Sequence, residues 1–184
     1  MSTLPTLEDE IAIAAGQGGE PAALFARIRG PLENFLRNPS VDLRAYDEKT
    51  KNLYARYLVS DPASPVELVL AVWRPGADSP IHDHQALTGA VGLLGGELVE
   101  TKYELTFAGG KARIAWQGGG RMQAGMASPI YPDGLHQVHR MYNPGVATAH
   151  TLHVYVGKLR RVTRYFPEPD GGLRAEARDL WFDG

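Results

Sequence analysis

Ser79-Pro80-Ile81-His82-Asp83-His84-Gln85 decides how the rest of the chain is read. Side chains on a strand alternate between its faces, so His82 and His84 point one way and Asp83 the other. Two imidazoles side by side on a stiff strand make a metal-ligand pair. The run before them, Val66-Glu67-Leu68-Val69-Leu70-Ala71-Val72-Trp73, is apolar and strand-like, and Arg74-Pro75-Gly76 turns the chain toward the histidines. Two histidines exposed in a polar loop would have the same spacing, so a third ligand from elsewhere has to settle the matter.

Outward from this stretch the chain reads as short strands: 54–60, 67–73, 89–94, 98–105, 113–116, 130–131, 137–142 and 148–156. Turn clusters separate them, among them Asp61-Pro62, Gly95-Gly96, Gly118-Gly119-Gly120, Pro132-Asp133-Gly134 and Asn143-Pro144-Gly145. Many short strands at regular spacing imply a sandwich or a barrel. Upstream, Thr6 is placed to cap a first helix that reaches Ala15, and Glu20-Pro21 opens a second through Arg29. Gly30-Pro31 is expected to break it before a third short helix at 31–36. After Arg164 the tail is rich in Pro, Gly and Asp, with Leu180-Trp181-Phe182 placed to clamp it onto the body. The expected organisation is one domain over 1–184, with a helical segment at 1–40, a barrel core at 54–166 and a tail at 167–184.

His136 is the best candidate for the third ligand. It follows the turn Tyr131-Pro132-Asp133-Gly134, on a segment remote from the first pair, and a small closed barrel can bring such positions together in its lumen. His139 and His150 fit no ligand spacing and are read as ordinary barrel residues.

Bulk properties exclude several function classes. The 184 residues suffice for one domain with a real core, and a charged fraction of 22% argues against disorder. A net charge of −2 without a basic block makes nucleic acid an unexpected partner. Cysteine is absent, which removes disulfides, a cysteine nucleophile and thiolate ligands together. No apolar run approaches bilayer-spanning length, and 1–10 is acidic rather than signal-like, so no membrane partner is expected. The expectation is a soluble, cytoplasmic protein, monomeric or a small homo-oligomer.

Gly76, the five residues after it, His82-Asp83-His84 and then Gly95 fit the first motif of the cupins, and Gly125, Pro132, Gly134 and His136 fit most of the second. The chain resembles a cupin. This implies a mainly β fold, the double-stranded β-helix or jelly-roll barrel, here with a short helical N-terminal segment. Two departures matter. The glutamate that usually follows the second histidine is Thr88; the spacing after Gly134 is one residue short and the asparagine position is Arg140. What remains is a neutral set, His82, His84 and His136, a variant of the two-histidine, one-carboxylate iron site.

A three-histidine cupin resembles the bacterial thiol dioxygenases, which include cysteine dioxygenase and 3-mercaptopropionate dioxygenase. The likeness runs over about 54–166. Tyr54-Ala55-Arg56-Tyr57-Leu58-Val59 matches the early strand, Ser79 to His84 the metal strand, and Gly92 to Glu100 the hairpin after it. Gly134-Leu135-His136-Gln137-Val138 matches the third-ligand segment, and Thr151-Leu152-His153-Val154-Tyr155 the Ser-His-Tyr strand, with threonine for serine. The resemblance implies one Fe(II) per chain, dioxygen as co-substrate and oxidation of a small thiol carboxylate to its sulfinic acid. Three histidines on their own also suit zinc, nickel or copper. A cysteine that can crosslink to the tyrosine in this family corresponds to Gly89, so no such crosslink can form here.

Thr151, His153 and Tyr155 alternate and so share one face of a strand. If that face is the lumen, they form a relay in which Tyr155 donates a proton toward substrate or dioxygen and His153 orients it. For the substrate carboxylate, Arg56 is the first choice, at the carboxylate-arginine position that the resemblance marks in cysteine dioxygenases. Arg164 matches an arginine that mercaptopropionate enzymes keep near their site, although Arg160 and Arg161 are close enough for the match to slip. If Arg56 and Arg164 both reach the pocket, a dicarboxylate thiol such as mercaptosuccinate is a natural substrate. Two other readings stay open: a cupin of another reaction class, such as a diketone dioxygenase or an isomerase, and a non-catalytic metal-binding cupin that senses a small acid.

Overall fold

The structure, a computed structural model, describes all residues except 1, 2, 109, 110, 135, 136, 170 and 184. Three helices lead the chain: α1 (Leu4–Gly16), α2 (Pro21–Arg37) and α3 (Leu43–Lys49). Eleven strands follow among the described residues: β1 (Tyr54–Leu58), β2 (Val66–Trp73), β3 (Ile81–His82), β4 (Gly89–Gly95), β5 (Val99–Ala108), β6 (Lys111–Arg121), β7 (Ala127–Ile130), β8 (Val138–Tyr142), β9 (Ala149–Val156), β10 (Arg161–Pro167) and β11 (Leu173–Asp179). They form a five-stranded sheet in the order β1-β2-β9-β4-β7 and a six-stranded sheet in the order β11-β10-β3-β8-β5-β6. Each of these neighbouring pairs is antiparallel. The mainly β class and the paired antiparallel sheets are those expected from the sequence.

β2 explains why its sequence looks uninterrupted rather than alternating: it is buried along its whole length. Leu68, Leu70 and Val72 pack with the helices through Leu7, Ile11, Ile28 and Phe35. Val69, Ala71 and Trp73 face the other way, into a second core with Val91, Leu93 and Tyr155. A strand covered on both faces loses its polar side. β9 splits in the same manner: Leu152 and Val154 join the helix-side core, while Thr151, His153 and Tyr155 lie on the alternate face, toward the barrel interior.

The helical front differs from expectation in three respects: α2 is continuous, α1 starts earlier, and α3 at Leu43–Lys49 was not expected. α2 runs unbroken through Pro31. A proline inside a helix costs about 3 kcal/mol. Leu32, Phe35 and Leu36 are all buried beyond it, and each such burial returns about 1.5–3 kcal/mol. Packing therefore outweighs the lost backbone bond. Gly92 lets α2 come close, because a Cβ there would lie 2.2 Å from Leu36 Cδ1. The cap of α1 lies three residues earlier than expected, with the Thr3 side chain accepting from the Thr6 amide at 3.3 Å in place of Thr6 as cap.

The tail also differs. The segment expected as a loop-rich tail contains β11, paired along β10 from Arg161↔Asp179 to Pro167↔Leu173. Beyond β11, Leu180 and Phe182 pack on the inner core while Trp181 stays exposed. Asp183 is tied to β1: its carboxylate accepts from the Arg56 amide at 2.9 Å, and its own amide donates to the Arg56 carbonyl at 2.7 Å. The clamp exists, built on Leu180, Phe182 and Asp183. Among the described residues, no helix is long and apolar enough to cross a membrane.

Candidate metal centre

Strand pairing assembles the histidines. β3 lies between β10 and β8, and its His82 is directly opposite Arg164 on one side and His139 on the other. Residues directly opposite in an antiparallel pair share a face, so Arg164, His82 and His139 form one row on the inner wall. His84 follows two residues on, past Asp83, which turns outward. The Asp83 carboxylate accepts from the Thr163 amide and the Tyr165 hydroxyl, both at 2.9 Å, and pins the histidine strand to β10.

Nitrogen atoms of His82, His84 and His139 lie within 4.8 Å of one another. The rings are 4.7–5.0 Å apart between centroids. The donor set fits a metal ion. The Pro80 carbonyl accepts from His82 Nδ1 at 2.9 Å, which leaves Nε2 with its lone pair bare. The Glu100 carboxylate accepts from His139 Nδ1 at 2.8 Å, and His139 Nε2 has no hydrogen-bond partner among the described residues. Both ring nitrogens of buried His84 are likewise without one. Buried polar nitrogens left unpaired are costly, and three converging bare lone pairs are what a cation takes up.

Electrostatics favour the neutral form of His82 and His84. Burial, followed by the nearby His139, pulls the His82 pKa down to about 3. Burial and the neighbouring His139 and His82 hold His84 well below its ordinary value. Glu100 goes the opposite way. Burial alone would raise it, but the bond to His139, then Lys102 and Ser128, bring it to about 2. An ionised carboxylate thus fixes His139 with its hydrogen on Nδ1 and Nε2 aimed inward. Glu100→Gln, which keeps the shape and removes the charge, is expected to weaken metal affinity about 10- to 100-fold. Competition with a chelator measures this; unchanged affinity would leave Glu100 a packing residue.

His139 is the histidine that sequence reasoning set aside. The expected His136 lies outside the described residues. A signal for His139 was present in the two departures from the second cupin motif. Starting the His-x3-Asn element at His139 puts Asn143 at the asparagine position. Asn143 is fully buried and holds the following turn, donating to the Trp73 and Ala147 carbonyls at 2.8 and 3.0 Å and accepting from the Gly145 amide. Glu100 was missed as well, because nothing local links it to a histidine 39 residues away. His150 is an ordinary structural residue as expected. It faces the helices and pairs with Asp47 at 2.7 Å.

Thr151, His153 and Tyr155 do line up on the inner face. Trp73 Nε1–H donates to Thr151 Oγ1 at 2.9 Å, Thr151 Oγ1 and His153 Nε2 share a bond of 2.9 Å, and His153 Nδ1 and Tyr155 Oη one of 3.1 Å. The Tyr155 ring lies 5.8 Å from that of His84, and burial raises its phenol pKa. Gly89 is opposite Tyr155 in the sheet. A cavity of about 200 Å³ opens in front of this group, lined by His82, His84, His153, Tyr155, Arg56 and Arg164. Apolar side chains, among them Trp73, Val162 and Leu180, form the rest of its wall. The two ambiguous arginines have other partners: Arg160 pairs with buried Glu67, and Arg161 with Asp179 at 2.6 Å.

Among solved structures, this chain is similar to a cupin-superfamily sugar phosphate isomerase from Silicibacter pomeroyi (21% identity, 72% of this chain and 84% of that one, TM-score 0.48). It is also similar to the protein TT1209 from Thermus thermophilus (19% identity, 62% and 93%, TM-score 0.46). A third is an oxalate oxidase (21% identity, 61% and 55%, TM-score 0.44), about half of whose length the chain spans. The family comparison is more specific. The model for cysteine dioxygenase type I matches residues 32–167, a span that starts within α2 and ends with β10. From Arg56 to Arg164, the polar groups around the cavity all fall inside it, and the chain belongs to the cysteine dioxygenase type I family.

Proposed function

We propose that this protein is a non-haem Fe(II) thiol dioxygenase that oxidises a small carboxylate-bearing thiol to its sulfinic acid. The observation that carries the reading is a cluster of three imidazoles, two of them on the wall of a cavity that a phenol and a buried guanidinium also line, the terminal nitrogens of that guanidinium having no hydrogen-bond partner among the described residues. His82, His84 and His139 would hold the iron, one ion per chain. When bound, iron supplies the Lewis acidity that keeps a thiol as thiolate and the redox chemistry that engages dioxygen. The overall change is balanced without a reductant: RSH + O2 → RSO2H, with sulfur losing the four electrons that dioxygen gains.

The chain's own residues do the rest. Arg56 binds the substrate carboxylate and so places the sulfur before the histidines. Tyr155 donates its hydroxyl proton toward the reacting atoms. His153, Thr151 and Trp73 fix the direction of that hydroxyl, each bonded to the next. The apolar wall limits water around the thiolate.

The test is oxygen uptake by the iron-loaded protein with cysteine, 3-mercaptopropionate and mercaptosuccinate. One dioxygen consumed per thiol, with a product heavier by two oxygen atoms, is the expected result. Uptake that yields only disulfide and peroxide would refute the dioxygenase. Metal and acid binding without uptake would favour a sensing cupin.

A further inference from the structure

We infer that the substrate of this site carries two carboxylates, one held by Arg56 and the other by Arg164. The inference rests on the thiol dioxygenase reading above and names its substrate class.

Arg56 is 7% exposed, and neither of its terminal nitrogens has a hydrogen-bond partner among the described residues. A guanidinium does not shed its proton to escape burial. Asp183 serves only the Arg56 backbone, and the Phe182 ring, 5.5 Å away, offers a face rather than an acceptor. A buried charge in this position calls for an anion that arrives from the cavity.

Arg164 reaches the same cavity from the other sheet. Its place opposite His82 puts it on the inner face, and it lines the cavity together with Arg56. Tyr54 lies within electrostatic reach of both guanidiniums. No hydrogen bond or ion pair engages the Arg164 guanidinium among the described residues, whereas Arg160 and Arg161 each have an acid. The acidic residue on the cavity wall, Asp78, is paired with Arg140 through both of its oxygens.

The balance of charge therefore separates three kinds of thiol. A monocarboxylate leaves one guanidinium facing the lumen alone. An amino acid brings an ammonium group that finds no free carboxylate among the described wall residues. A thiol dicarboxylate gives each planar fork its own partner, with the sulfur between them.

Two measurements test this. The first needs no iron: succinate and propionate are titrated calorimetrically into the purified protein. Succinate is expected to bind about tenfold or more tightly, and Arg164→Gln to bring the two affinities together. The second is the ratio of kcat/KM for mercaptosuccinate over 3-mercaptopropionate in the iron-loaded enzyme. That ratio is expected to exceed one and to fall about 10- to 100-fold in Arg164→Gln, with Arg164→Lys recovering part of it. A melting curve for Arg164→Gln that matches the wild type shows that folding is not what is being read.

Equal wild-type affinity for succinate and propionate would overturn the inference. So would an Arg164→Gln variant that weakens both acids by the same factor, the mark of two arginines on one carboxylate. Succinate selectivity in a protein that oxidises no thiol would sink the dioxygenase and leave the two-carboxylate pocket standing. Thiol oxidation without dicarboxylate preference would do the reverse.

Discussion

His139→Gln is expected to abolish metal binding. The purified wild type, loaded with Fe(II), is expected to carry about one ion per chain. The variant should bind at least about 100-fold more weakly, beyond the loss attached to an outer partner of a ligand. The reasoning is geometric. His139 stands directly across from His82, its inward nitrogen has no other partner among the described residues, and Glu100 fixes which nitrogen that is. Taking away one of three donors leaves two neutral imidazoles and no protein anion on the ion. Glutamine keeps most of the volume, which limits the packing cost at a buried site. Thermal melting supplies the second readout, because a ligand that binds only the folded state raises its stability. Iron should raise the wild-type Tm and leave that of His139→Gln in place. His136→Gln belongs in the same series. If it loses the metal while His139→Gln keeps it, the third ligand is the one that the sequence motif first suggested.

Tyr155→Phe is expected to lower kcat about 10²- to 10⁴-fold, the range for a positioned proton donor. Metal content should not change, because the phenol is not among the grouped nitrogens. Stability should fall by only about 1 kcal/mol, the net worth of the hydrogen bond to His153. The three readouts separate chemistry from structure. A proton donor moves kcat and spares the other two. A packing residue would leave kcat within about twofold, and that result would remove Tyr155 from the reaction. The effect should be large because the hydroxyl belongs to a bonded series that starts at Trp73, which can only donate. Each member restricts the next, so the phenol is held in place before substrate arrives.

Much of this was legible in the sequence because it is local. The alternation of Thr151, His153 and Tyr155 follows from strand geometry alone; His82 and His84 come together as expected, although β3 ends at His82 and His84 lies just beyond it. The spacing of turns narrows the fold to a sandwich or a barrel, and the cupin resemblance points to the barrel. What escaped was non-local. His139 becomes a ligand candidate through the β3–β8 register, and register depends on how remote strands slide against one another. Arg164 separates from Arg160 and Arg161 only once buried Glu67 and Asp179 are seen to occupy the other two. Pro31 was read by its local cost, and the buried side chains beyond it reversed the outcome. β11 was hidden by composition. Leu173–Asp179 is mostly exposed along one sheet edge and carries little of the apolar signal by which strands are recognised.

Gly89 has a consequence for the candidate site. It is opposite Tyr155, and a Cβ there would lie 2.2 Å from the Val154 carbonyl oxygen. The backbone is too close for a cysteine to be grafted without prising the two strands apart, and the chain has no thiol of its own to offer. No crosslink from this position to the Tyr155 phenol can form, so with respect to that bond preparations of the protein should migrate as one species.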